Sequence, residues 1–173
     1  MTTNTNTALM SADVEYMVRR GMTKGYQLLS VLTPPLYTAL FLTRRGRAHF
    51  SINRLLRATW LGGAAGCAGG GVYEYARSSM STETTIRARR MNAAYNTSSL
   101  RADDHATIGA VLFAVLSPAV FWSRARVAHL VLGGAGLGTG LGLLTHYARE
   151  LGGDAAPRVD MPGPVIPTSP SEP

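Results

Sequence analysis

Charged residues fall in blocks along the chain, and four long stretches between the blocks contain none. Asp, Glu, Lys and Arg are absent from Gly25–Thr43, Ala58–Tyr73, Ala106–Ser123 and Val127–Ala148. A helix crossing a bilayer core needs roughly 20 mainly apolar residues. The second stretch is short, but Arg57 and Glu74 sit at its ends, where long side chains can extend to water. Four buried helices of a soluble bundle would each carry a polar face. The third and fourth stretches carry almost none. The pattern therefore predicts an all-α membrane protein with four transmembrane helices arranged as two hairpins.

The same pattern divides the chain into five parts. Residues 1–24 form an N-terminal tail and a short amphipathic helix over 11–24, which Ser11 is placed to cap and in which Val14, Met17 and Val18 share a face. Residues 25–77 form the first hairpin, 78–105 a polar connecting arm with helix-permitting composition, and 106–149 the second hairpin. Residues 150–173, rich in proline, form an extended tail. Proline lacks a backbone donor and clashes one turn back. Helix kinks are therefore expected at Pro34 and Pro35 in the first span and at Pro118 in the third. Ser30, Thr33 and Ser117 stand near enough to repair the freed backbone groups.

The two halves resemble each other. VLTPPLY at 31–37 matches VLSPAVF at 115–121, and GGAAGCAGGGVYEYAR at 62–77 matches GGAGLGTGLGLLTHYAR at 133–149. Each half reads as a proline-bearing helix, a basic turn and a glycine-rich helix, the plan of an internal duplication.

The glycine runs do not fit a nucleotide site. A dinucleotide loop needs glycines at i, i+2 and i+5, and a phosphate loop needs Gly-Lys; neither occurs. Helical spacing does occur. Gly62, Gly66 and Gly70 are four apart, with Gly63, Cys67 and Gly71 beside them; Gly134, Gly138 and Gly142 repeat the row, with Gly136 and Gly140 beside it. Small residues at this spacing let a neighbouring backbone approach closely within a membrane. The six glycines of the two main rows are the predicted helix-packing sites, the two glycine-rich helices meeting each other or a partner.

The net charge of +7 is carried by Lys24 and arginines. No basic face interleaved with aromatics appears, so nucleic acid is not an expected partner. Arg44, Arg45, Arg47, Arg54 and Arg57 mark the first short turn, and Arg124 and Arg126 the second, both without acids. The positive-inside bias assigns these turns to the matrix or cytoplasmic side, where they can meet anionic lipid head groups. Both termini and the 78–105 arm then face the opposite side of the membrane. The N-terminus reads neither as a signal peptide nor as a cleaved presequence. Cys67, the single cysteine, excludes an intrachain disulfide.

Chemistry is sparse. Asp103, Asp104 and His105 form the one tight carboxylate–histidine group, read as a cap on the third span rather than a metal site. His129 and His146 lie near opposite ends of the fourth span, where interface hydrogen bonds are expected. No nucleophile–base set or acidic residue occurs within a span, so neither catalysis nor transport is expected, and no cofactor, metal or small-molecule substrate.

SINRLLRATWLGGAAGCAGGGVYEYAR, RADDHATIGAVLFAVLSPAVFW and LVLGGAGLG…LLTHYAR resemble the NUXM type of fungal mitochondrial complex I membrane accessory subunit, over roughly residues 14–150. The resemblance implies a non-catalytic, multi-pass inner-membrane protein packed against other membrane-arm subunits of NADH:ubiquinone oxidoreductase. The glycine-rich four-span plan also resembles the Tim17/Tim22/Tim23 family, which implies a component of a protein-import complex instead.

Overall fold

The computed structural model describes the backbone of residues 2–45 and 51–157, with side chains for 10–44 and 51–157. Among these residues there are five helices and no strands: α1 Thr2–Arg45, α2 Ile52–Ser79, α3 Glu83–Tyr95, α4 Thr97–Phe121 and α5 Val127–Leu151. The all-helical class is as the hydrophobic pattern predicts. Two helices, α4 and α5, are long and apolar enough to cross a membrane; α1 and α2 fall short of that apolarity. Prolines and threonines dilute α1, and glycines dilute α2.

α1 corrects the expected division at residue 24. It runs unbroken through the tail, the amphipathic segment and the first apolar stretch. A change from polar to apolar side chains alters what surrounds a helix, not its backbone bonds, so no break is required there. Ser11 therefore lies inside α1 rather than at a helix start. Pro34 and Pro35 lie inside α1 and Pro118 inside α4, neither helix being interrupted. The expected repair by Ser30 is not seen: its buried hydroxyl has no partner among the described residues. Thr38 Oγ1 donates at 2.8 Å to the Pro34 carbonyl, which the prolines do not deprive of its helical donor.

α1 pairs with α2 and α4 with α5, and α5 also packs on both α1 and α2. Few large apolar side chains are buried: Leu56, Ile86, Leu130, Leu143 and Met17 are the main ones. Leu28, Leu32, Leu36 and Leu40 of α1 point outward, as do Val111, Leu112, Val115 and Val120 of α4. The interior is instead made of glycine, alanine, serine and threonine. Large apolar groups outside and small groups inside invert the order that water imposes.

The connecting arm contains α3, which packs on α1 and meets α2 through an ion pair. Its Ile86 side chain is buried, Arg89 pairs with Glu74 of α2 and Arg90 with Asp13 of α1. α4 starts one residue later, with the Asn96 side chain accepting from Ser99 N at 2.9 Å. Asn96 therefore caps α4, not the Asp103–Asp104–His105 group, which lies in its second turn. α5 ends where Gly153 adopts φ 96°. Gly153 N donates to Glu150 O at 3.3 Å and Asp154 N to Arg149 O at 3.1 Å, a paired closure that favours glycine at the left-handed position. The chain then turns back so that Asp154 meets Arg101 at 2.8 Å and the Pro157 carbonyl accepts from Thr97 at 2.6 Å. The rest of the expected extended tail, from residue 158, lies outside the described residues.

Candidate functional site

The glycine rows are the best-defined interface in the molecule. The two rows do not meet each other. Each packs against the other helix of its own hairpin, and the approach is backbone to backbone. A Cβ on Gly66 would overlap the Gly25 carbonyl oxygen, and one on Gly70 the Gly21 carbonyl oxygen. In the second hairpin a Cβ on Gly138 would overlap the Gly109 carbonyl oxygen, and one on Gly142 the His105 carbonyl oxygen. Gly62 faces the Thr33 hydroxyl, and Gly134 faces the Ser117 hydroxyl, where a Cβ would stand 2.5 Å away. With no side chain between them the backbones can hold dispersion and Cα–H···O contacts.

These contacts match position by position. Adding 84 carries the α1 members Gly21, Gly25, Leu29 and Thr33 onto His105, Gly109, Phe113 and Ser117. Adding 72 carries the α2 members Gly62, Gly66 and Gly70 onto Gly134, Gly138 and Gly142. The related residues touch related partners throughout, including Gly66 on Leu29 and Gly138 on Phe113. The sequence similarity of the halves is thus matched by an equivalent packing register. Gly21, Gly25 and Gly109 were not singled out by the sequence reading. Gly21 and Gly25 are themselves four apart, beside Lys24 rather than in a glycine run, and Gly109 stands alone and is pointed to only by the offset between the halves.

α5 uses a second glycine face to join the hairpins. Gly133 sits on Leu56, Gly136 on Thr59 and Gly140 on the Ser30 carbonyl, to which a Cβ would come within 3.0 Å. Pro34 has no N–H to give Ser30, so that carbonyl lacks its ordinary helical donor. The α5 backbone crosses α1 at this freed oxygen.

Both ends of the bundle are polar but differ in kind. At one end the short turns lie side by side: Arg126 N donates to Asn53 Oδ1 at 3.4 Å, and Trp60 Nε1 donates to His129 Nδ1 at 3.1 Å. Arg44, Arg54, Arg57, Arg124 and Arg126 are exposed there. The Arg45 side chain and Arg47 lie outside the described residues. At the other end, carboxylates and cations form a collar. Asp103 accepts from both Lys24 at 2.7 Å and Gln27 at 2.5 Å. The collar also holds the Arg89–Glu74, Arg90–Asp13 and Arg101–Asp154 pairs. Arg90 additionally lies over the Tyr16 ring, 5.3 Å from its centroid.

His146 is 3% exposed, its Nε2 3.7 Å from Glu150 and 3.5 Å from the Ser98 hydroxyl. Ser98 donates directly to Glu150 at 3.0 Å. Serine and glutamate address the same ring nitrogen, so the trio lacks the relay in which the acid orients one nitrogen and the serine uses the other. The His105 ring lies 5.5 Å from that of His146, and its Nδ1 is 2.8 Å from the Arg101 carbonyl. Among the described residues no three histidine, cysteine, aspartate or glutamate side chains gather as a metal site. Cys67 is a free, partly buried thiol. Compared with family models, curated proteins and solved structures, the chain matches none.

Proposed function

We propose that the chain is a non-catalytic accessory subunit of a mitochondrial inner-membrane complex, inserted as four spans, and that this complex is the membrane arm of complex I. The observation that carries the four-span reading is the shared register of the hairpins. α4 and α5 have the length and apolarity of spans. α1 and α2 make equivalent contacts and are held to α5 along its second glycine face. A bilayer around the second hairpin therefore holds the first at the same depth. The outward leucines and valines then meet lipid or neighbouring helices, and the glycine faces supply close packing where the hydrophobic effect cannot. An unpaired backbone group in hydrocarbon costs several kcal/mol, which keeps glycine-rich helices wound.

In this reading the exposed guanidiniums of the two turns lie at the matrix surface, against anionic head groups such as cardiolipin. The ion-paired collar and both termini lie on the intermembrane-space side. The protein contributes packing surface to its neighbours and binds no nucleic acid, metal or small-molecule substrate. The choice of complex I is supported by the sequence resemblance alone.

The test is a native gel of mitochondria solubilised in mild detergent, probed for this chain beside an in-gel NADH dehydrogenase stain. Co-migration with the stained complex is expected. Migration in a smaller, unstained complex would overturn the complex I assignment and favour the import-component alternative.

A further inference from the structure

Two grooves share one ridge of α1. The first, of ≈ 570 Å³, runs between α1 and α2 over a floor that includes Gly25, Gly66 and Gly69, with Leu29 and Tyr73 beside it. The second, of ≈ 490 Å³, runs between α1, α4 and α5 past Val31, Leu32 and Leu143. Lys24 and Leu28 line both. Arg20 lines the first and donates to Ser99, which lines the second, at 2.9 Å. Arg20, Lys24 and Leu28 are spaced by four and form one stripe of the helix.

We propose that this saddle binds one anionic phospholipid, its phosphate at Arg20 and Lys24 and one acyl chain in each groove, with Leu28 between them. The inference rests on the membrane reading above. Charge selects the head group. Lys24 is paired with Asp103, and Arg89 with Glu74, which lines the first groove. Arg20 has only the neutral Ser99 as hydrogen-bond partner among the described residues. Of the charged groups that line the grooves, Arg20 and Lys24 are cations and Glu74 is the one carboxylate, so one positive charge remains for a phosphodiester monoanion. Glu150 lines neither groove and is engaged by Ser98.

Position agrees with charge. The two cations stand where the first uncharged stretch begins, the depth of a head group in the membrane reading, and past them the first groove reaches Leu28 and Leu29 and the second Val31 and Leu32. A guanidinium offers paired donors and an ammonium a point charge, both suited to phosphate. A partner helix, about 10–12 Å across, would meet Leu28, which is 59% exposed and divides the grooves. Two separate chains pass on either side of it.

The position of Gly69 makes the test clean. A Cβ there meets nothing within 4 Å, so the side chain of Gly69→Leu enters the first groove from a root clear of the backbone contacts that Gly66 and Gly70 make with α1. The purified full-length chain in detergent would be given equal phosphatidylglycerol and phosphatidylcholine with identical acyl chains, and bound lipid read by native mass spectrometry. Phosphatidylglycerol should exceed phosphatidylcholine about tenfold, the ratio expected of one charge-assisted contact. Arg20→Gln, which keeps a donor for Ser99, should remove that preference, and Gly69→Leu should remove the bound lipid with helix content unchanged. Equal retention of the two lipids by the wild-type chain, or undiminished phosphatidylglycerol on Gly69→Leu, overturns the site. Carbonate extraction of membranes separates the two readings. A chain that stays in the membrane without lipid preference refutes the lipid site alone, and a chain released by carbonate refutes both.

Discussion

At the scale of single residues, two glycines on the same helix have opposite roles. Gly66 faces a carbonyl oxygen of α1, whereas Gly69, three residues on, faces open space. The same contrast separates Gly138 from Gly69 across the hairpins. Adding one methyl at Gly138 forces α4 and α5 apart, and overpacking of this kind costs about 1–3 kcal/mol. Adding one at Gly69 meets nothing and recovers up to about 1 kcal/mol of helix propensity. Gly138→Ala should therefore lower the melting temperature in detergent, and Gly69→Ala should hold or raise it. Equal effects would show that glycine content, not close approach, matters here. The sequence reading found half of each contact. Gly62, Gly66 and Gly70 announce themselves by a run of three at helical spacing, and Gly21 and Gly25 share that spacing only as a pair beside Lys24, whereas Gly109 is a lone glycine, ordinary until its opposite number is known.

At the scale of elements, α3 depends on ion pairs more than on apolar burial. Ile86 is its one fully buried side chain, and Glu74 beneath it is only 10% exposed beside Arg89. Removing the cation from such a pair leaves a carboxylate in a poorly hydrated place, a loss of about 3–5 kcal/mol when burial is complete and less here. Arg89→Ala should raise hydrogen exchange across α3 while α4 and α5 stay protected. Unchanged exchange in α3 would place its anchoring in Ile86 and the Arg90–Asp13 pair. Helical composition in TETTIRARRMNAAYN was legible from the sequence, but where it docks was not. Its partners Asp13 and Glu74 come from α1 and α2, and pairings across helices follow from bundle geometry rather than from spacing along the chain. The same holds for Asp103. Beside Asp104 and His105 it reads as a helix cap, yet the fold carries it to Lys24 and Gln27 of α1.

At the scale of the whole molecule, the proposed membrane reading makes a prediction about how many helices cross the bilayer, and Ser51 decides it. The Arg126–Asn53 contact puts both basic turns at one end of the bundle. If all four long helices span, Ser51 and Ser123 lie on one side of the membrane, and Ser79 and Ala155 on the other. If only α4 and α5 span, the first hairpin stays with α3, and Ser51 joins Ser79 and Ala155. Ser51 can be replaced without loss of a cap, because its side chain makes no capping bond to α2. Single cysteines at these four positions in a Cys67→Ala background would be labelled with a membrane-impermeant maleimide in mitoplasts, with and without permeabilisation. Ser79→Cys and Ala155→Cys should label in intact mitoplasts, and Ser51→Cys and Ser123→Cys only after permeabilisation. Labelling of Ser51→Cys with the first pair would leave α1 and α2 outside the bilayer. Their glycine contacts would then hold together a hairpin in water, where the outward leucines of α1 would need a protein partner to cover them.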